Sequence, residues 1–247
     1  MLSGRVALIA GVCDHGIGRS TALTLALQGA RIALGCTPHN SGADAKADAD
    51  NLIATIRDVG GEALAFPLDS RRPETIAAWV GAAVAEFGAV DMLVSRVAPI
   101  WDASAAAHLA TDALDAAVQA EIEGTLLCIQ ACLPVMRQNG WGRIVAIGPF
   151  EPVSWIHGRS ATHARRFLAQ HFERRERPHN ITANLIHPGW GGVGAGNSEA
   201  ALAAARHEPA WEARRHTSAQ DIADAVLFLC SEAARFITGS QLFFALE

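Results

Sequence analysis

The sequence contains no tyrosine, and Lys46 is its only lysine. The first absence excludes any phenolic proton donor, and the second confines amine chemistry to one place. That place is the acidic stretch DAKADAD, which reads as surface. The five cysteines, Cys13, Cys36, Cys128, Cys132 and Cys230, are odd in number and form no C-x-x-C pair. This argues against a disulfide framework or a zinc knuckle, and no metal site is expected. Cys128 and Cys132 lie four apart in an apolar helical pattern and read as core packing. Cys13 stands apart because it falls in a glycine-rich turn. No apolar run reaches the roughly 18 residues of a membrane span. The N-terminus, MLSGRVALIAG, lacks a basic stretch followed by an apolar segment and a cleavage site. No secretory signal is read there, and the cytoplasm is the default location. A basic footprint is also missing. Net charge is −5 and the sequence pI is about 6.0, which argues against a nucleic-acid partner. Arg174, Arg175 and Arg177 are diluted by Glu173 and Glu176 and read as a solvated helix end.

What is present is an alternating pattern. Half of the 247 residues are hydrophobic, enough for a sizeable core. The length fits one α/β domain over residues 1–247. Residues 5–10 (RVALIA) form a short apolar run, read as a buried strand. A glycine-rich turn follows over 11–18, then helical periodicity over 19–28 and a strand over 31–34. Further helices are read at 44–59, 73–87, 111–138, 160–174 and 218–230, the last capped by Ser218. Further strands are read at 63–67, 92–95, 143–147, 181–186 and 241–244. Strands alternating with helices predict a doubly wound parallel sheet with helices on both faces. Its ligand crevice lies at the carboxyl ends of the strands, so the stretches after Ser95, Ile147 and Ile186 are expected to line it. Residues 190–196 (WGGVGAG) read as a loop beside that site.

The turn GVCDHGIG places Gly11, Gly16 and Gly18 between the first strand and the first helix. Glycines there let backbone N–H groups approach a phosphate, and the helix N-terminus adds partial positive charge. The turn resembles the TGxxxGIG motif of short-chain dehydrogenases/reductases. DMLV (91–94), GRIVAI (142–147), HPG (187–189) and FITGSQL (236–242) match further motifs of that family, in its order and along nearly the whole chain. The resemblance implies a single-domain Rossmann fold that binds NAD or NADP. It assigns cofactor contacts to Gly11, His15, Gly16, Ile17, Gly18, Thr37, Asp69, Pro188 and Gly189, with Asp69 at the adenine ring. The turn departs from the motif. Four residues separate Gly11 from Gly16 where three are usual, and Ala10 replaces the usual Thr. An NAD-selecting carboxylate is missing near Cys36-Thr37, and His15 is the one candidate for favouring NADP. NADP therefore stands slightly ahead of NAD, with loss of the dinucleotide as the other outcome.

The family transfers hydride with a Ser, a Tyr, a Lys four residues later, and a helix Asn. Aligning GRIVAI puts Pro149 at the Ser, Thr162 at the Tyr, Arg166 at the Lys and Glu121 at the Asn. Thr162 has an alcohol pKa far above a phenol's, and Arg166 stays charged. No shift of alignment restores a Tyr that is absent. The candidate reacting residues are thus Glu121, Thr162, His163 and Arg166, with Glu151 and His157 as further acid–base groups. The bland reading of Glu121 and Arg166 is an ion pair filling the vacated site. Arg159, Thr162 or His163, Arg166 and Gln170 share one helical face. His187 is read as a backbone-binding residue, and Trp155 and Trp190 as pocket walls or ordinary packing.

Three functions follow. The first is a non-catalytic partner subunit in a homo- or hetero-oligomer, tetramer or dimer, of chains of this kind. The second is a pocket reused for non-redox chemistry, a lyase, isomerase or cyclase using Glu and His. The third is an atypical NAD(P)-dependent oxidoreductase acting on a small carbonyl or acyl substrate. A small-molecule ligand is expected, with no nucleic acid and no membrane.

Overall fold

Seven parallel strands form one sheet in the order β3-β2-β1-β4-β5-β6-β7. The computed structural model describes residues 1–11, 16–36, 44–96, 122–148, 155–188 and 218–244, the side chains at 44, 45, 155–163 and 165 excepted. The strands are β1 (Val6–Ala10), β2 (Arg31–Cys36), β3 (Ala63–Pro67), β4 (Met92–Ser95), β5 (Gly142–Ile147), β6 (Ile181–His187) and β7 (Gln241–Phe243). The helices are α1 (Ile17–Leu27), α2 (Asp44–Asp58), α3 (Pro73–Phe87), α4 (Gly124–Asn139), α5 (Trp155–Glu176) and α6 (Ala219–Cys230). The chain starts at the sheet centre, winds outward to β3, returns to β4 beside β1 and winds the other way. The doubly wound parallel fold expected from the alternation is therefore the fold observed.

β1 shows why its residues read as one unbroken apolar run. Ala7 and Ile9 enter one core with α1, α2 and α6. Val6, Leu8 and Ala10 enter the other with α3, α4 and α5. A strand covered on both faces has no polar side, so its pattern is continuous rather than alternating. On the second face Trp79 of α3 is fully buried against Gly35 of β2. Cys128 and Cys132 of α4 are fully buried in the same core, as their spacing suggested. Burial pushes the Cys128 thiol up to about 12 and Cys132 well above its usual value, so both pack as inert apolar groups.

Element ends moved where pairing or capping outweighed local signals. β2 runs on to Cys36 because Gly35 and Cys36 pair with Phe66 and Pro67 of β3. β6 runs on to His187, which pairs with Phe243. α5 begins five residues before Ser160 and carries Gly158 inside it, a glycine that reads as a break in sequence. α4 tolerates Pro134 at an exposed position; the 111–121 part of the expected long helix lies outside the described residues. Ser218 does cap α6. Its Oγ accepts from Asp221 N at 3.2 Å while its own N–H donates to the Asp221 carboxylate at 2.8 Å. Such a reciprocal cap stabilises a helix by about 1 kcal/mol.

Arg174, Arg175 and Arg177 are exposed, as a solvated helix end should be. Glu176 is not part of that surface. It is buried, 1% exposed, and takes two hydrogen bonds from Arg137 at 2.6 and 2.7 Å, tying α5 to α4. No described helix is long and apolar enough to cross a membrane.

Candidate cofactor and reaction site

β1 and β4 are neighbours, with β2 beyond β1 on one side and β5 beyond β4 on the other, the switch point at which a doubly wound sheet offers a crevice at its carboxyl ends. Gly11 stands at that point, immediately after β1, with φ +83°. A Cβ there would run into the main-chain carbonyl of Arg96, which follows β4. Any residue but glycine would thus be strained twice, by its own backbone and by its neighbour. The N–H of Gly11 donates to Gly35 O at 3.0 Å, fixing the turn against β2.

α1 begins at Ile17 with Gly16 before it and no side-chain cap. An uncapped helix start directs backbone N–H groups and a partial positive charge outward, a combination that suits a phosphate. Ile17, Gly18 and the helix up to Ala26 are buried, so this start is rigidly held. Gly11 and the uncapped α1 start fit a dinucleotide's diphosphate. His15, Thr37 and Gly189 lie outside the described residues, as do Cys13 and the 190–196 segment. Pro188 is buried directly after β6.

The residue that the resemblance assigns to the adenine is less simply placed. Asp69 lies two residues beyond β3, and its carboxylate is held by its neighbour Arg71. Oδ1 accepts from the Arg71 backbone N–H at 3.1 Å and from Nε at 3.0 Å, and Oδ2 accepts from Nη2 at 3.1 Å. The carboxylate in turn holds the Arg71 guanidinium above its usual pKa, mainly through the hydrogen bonds. The signal for this was in the sequence, in the order Asp-Ser-Arg right after a strand, but the family resemblance drew attention to Asp69 alone.

The reaction end is more altered. Thr162 and His163 fall on α5, and Arg166 lies one turn after Thr162 on the same face. Arg166 and Gln170 are exposed. Glu121, Pro149, Glu151 and Trp190 lie outside the described residues; Trp155, His157 and Arg159 are placed on α5 by backbone alone. Ser95, at the end of β4, is buried and 3.4 Å from the Thr125 hydroxyl of α4. His187 is buried. Its ring stacks on Phe243 at 4.4 Å between centroids and faces Gln241 Oε1 at 3.3 Å, while its carbonyl accepts from Phe244 N at 3.0 Å. It serves the β6–β7 edge with both backbone and ring, which the sequence suggested only for the backbone. No group of three or more potential metal ligands occurs among the described residues.

Comparison with known proteins agrees with this geometry. A family model described as enoyl-(acyl carrier protein) reductase matches residues 11–244. The chain is 29% identical to trans-4-hydroxycyclohexanecarboxylate dehydrogenase of Sinomonas cyclohexanicum, over 96% of this chain and 90% of that protein. It is 28% identical to L-rhamnose 1-dehydrogenase (NAD(P)(+)) of Sphingomonas sp. (strain SKA58), over 98% and 95%. Among solved structures, a dehydrogenase/reductase from Sinorhizobium meliloti 1021 superposes with a TM-score of 0.79 at 26% identity, covering 98% of this chain and 94% of that one. This chain belongs to the short-chain dehydrogenase/reductase family. The relatives named above carry the names of dehydrogenases; this chain contains no tyrosine.

Proposed function

We propose that this chain is a dinucleotide-binding member of its family that transfers no hydride of its own and acts as a partner subunit. Residues 1–247 would form one domain in an assembly with chains of the same fold. The carrying observation is the total absence of tyrosine, with Thr162 at the position where a phenol is needed. A nicotinamide cofactor supplies or accepts hydride; the substrate oxygen must exchange a proton in the same step. Thr162 cannot give that proton near neutral pH. Arg166 is always charged and lies exposed on α5, where it can hold an anion but not move a proton.

The cofactor-binding part of this reading is supported by Gly11, Gly16, Ile17 and Gly18 and by the NAD(P) named for the rhamnose dehydrogenase relative. β2 ends at Cys36 with no carboxylate through that point, which keeps NADP ahead of NAD. The partner part is supported by a groove of about 420 Å³ between α4 and α5, lined by Leu126, Leu133, Phe167 and Phe172 among others. Phe167 is 67% exposed there, an apolar side chain that a second subunit would cover.

A second reading, an atypical NAD(P)-dependent oxidoreductase, is favoured by the dehydrogenase names of the relatives. Substrate, water or His163 would then supply the proton. A cofactor-independent lyase or isomerase would instead use Glu121 and His163. One set of measurements separates the three. Fluorescence titration should detect NADPH and NADH binding, and assays with cyclic alcohols and small ketones should give no turnover. Robust turnover sinks the partner-subunit reading. Absence of nucleotide binding, joined to an activity lost in Glu121→Gln or His163→Ala, selects the lyase.

A further inference from the structure

The segment from Asp69 to Thr75 is held unusually tightly for a turn at a ligand crevice. Thr75 Oγ1 accepts from Asp69 N at 3.2 Å and lies 2.7 Å from Asp69 O. The Asp69 carboxylate is gripped by the three Arg71 bonds already described, and Arg72 beside it is paired with Glu74 at 2.7 Å. Leu68 N–H donates to Cys36 O at 2.7 Å, which sets Asp69 next to the carboxyl end of β2. Gly124 of α4 closes the other side, since a Cβ there would come within 2.8 Å of Ser70 Cβ. The carboxylate therefore has one orientation, and a cation already occupies both of its oxygens.

That arrangement bears on what the base subsite can recognise. A lone carboxylate is an acceptor that selects a purine with an exocyclic amino group. A guanidinium is a charged donor that reaches both oxygens of a carboxylate at once, whereas a neutral aromatic amine brings no charge and reaches one. An amino group arriving at Asp69 must displace Arg71 or settle for a neutralised partner. The guanidinium also sits where the carboxylate's charge would otherwise be felt, as its raised pKa reflects.

Resting on the reading that a nicotinamide dinucleotide binds here, we propose that Arg71 is a specificity-determining residue that, by occupying Asp69, removes the subsite's preference for a 6-aminopurine over a 6-oxopurine. The experiment titrates the protein with NADH and with its hypoxanthine analogue, following nicotinamide fluorescence, with no substrate present. Wild type should bind the two within about threefold of each other. Arg71→Ala should tighten NADH and open a preference for it of about tenfold. Arg71→Ala/Asp69→Asn should bring the ratio back to near one. Arg71 is exposed, so these variants are expected to fold, which circular dichroism verifies. A tenfold preference for NADH already in wild type overturns the proposal, and so does an unchanged ratio in Arg71→Ala. Either result leaves the dinucleotide reading standing. If no protein form binds NADH, the same titrations are made with NADPH and its hypoxanthine analogue and the same ratios apply; if neither pair binds, the dinucleotide reading fails and takes this proposal with it.

Discussion

The two edges of the sheet are built on opposite terms. At the carboxyl ends of β1 and β5 the described residues keep side chains out: Gly11 against Arg96, an uncapped α1 start, and Gly148, where a Cβ would come within 3.2 Å of His187 Nδ1. At the amino edge it packs charge in. Asp91, just before β4, accepts from Arg5 at 2.8 Å and from the backbone N–H of Val6 at 2.9 Å. Trp141, just before β5, lies between the guanidinium groups of Arg5 and Arg143, at 4.0 and 4.2 Å, and donates to Glu232 at 2.8 Å. Arg143 is fully buried and donates to the carbonyls of Gly142 and Asn180. The contrast teaches where this sequence spends its specificity. One edge uses polar side chains to fix strand positions, and at the other the described residues around β1 offer glycine and an uncapped helix start in place of side chains.

The largest effect that would test this division comes from the amino edge. Asp91→Ala removes the partner of a buried backbone N–H and of Arg5, and should cost about 3 kcal/mol. Urea unfolding should show a lowered midpoint, while nucleotide affinity in the folded protein stays unchanged. If affinity falls in step with stability, the two edges are not independent. Next is Gly11→Ala, which forces a side chain into a left-handed backbone and against the Arg96 carbonyl. A stability loss of about 2 kcal/mol is expected. It should come with at least a tenfold loss of NADPH affinity, because the turn itself must shift. A stable variant with intact binding would mean that Gly11 does not shape the phosphate site.

How much of this was readable from residues alone differs between the same two edges. The order of strands and helices, the Gly11 turn and the Ser218 cap follow from local rules of periodicity and backbone freedom. The amino-edge network does not. Arg5, Asp91, Trp141 and Glu232 are far apart in sequence and meet only because β1, β4 and β5 are adjacent. Nor was the pairing of Arg137 with Glu176 legible, since the basic run beside Glu176 makes it look like surface. At the carboxyl edge, resemblance pointed to Asp69 and missed Arg71, which alters what Asp69 can do. Alignment set Thr162 and Arg166 in the family's positions, yet it says nothing of burial, and Arg166 proved exposed.

A smaller effect should come from pH. The Arg137 hydrogen bonds hold the Glu176 carboxyl below its usual 4.5, although burial pushes the other way. A depressed carboxylate stabilises the fold fully above its unfolded pKa. That contribution is lost as pH falls through the lower folded value. Arg137→Ala should cost about 2 kcal/mol at pH 7, less than a fully dry pair because Arg137 is half exposed. The gap between variant and wild type should narrow as the solution is taken below pH 4. A gap independent of pH would show that Arg137 acts through packing against α5 and not through its charge.

The smallest effect is expected at Arg166, and it bears most directly on function. Arg166 is exposed, and no hydrogen bond or ion pair ties it to another described residue. Replacing it by Ala should move stability by less than about 0.5 kcal/mol. Arg166→Ala should leave NADPH affinity within about threefold of wild type, because an exposed guanidinium in water gives a ribose little. A loss of tenfold or more would place Arg166 at the ribose after all. It would also mean that α5 closes toward the crevice when the nucleotide binds. The reaction end of the crevice would then be an active counterpart of the nucleotide end, and the lost tyrosine a change of chemistry in place of its disappearance.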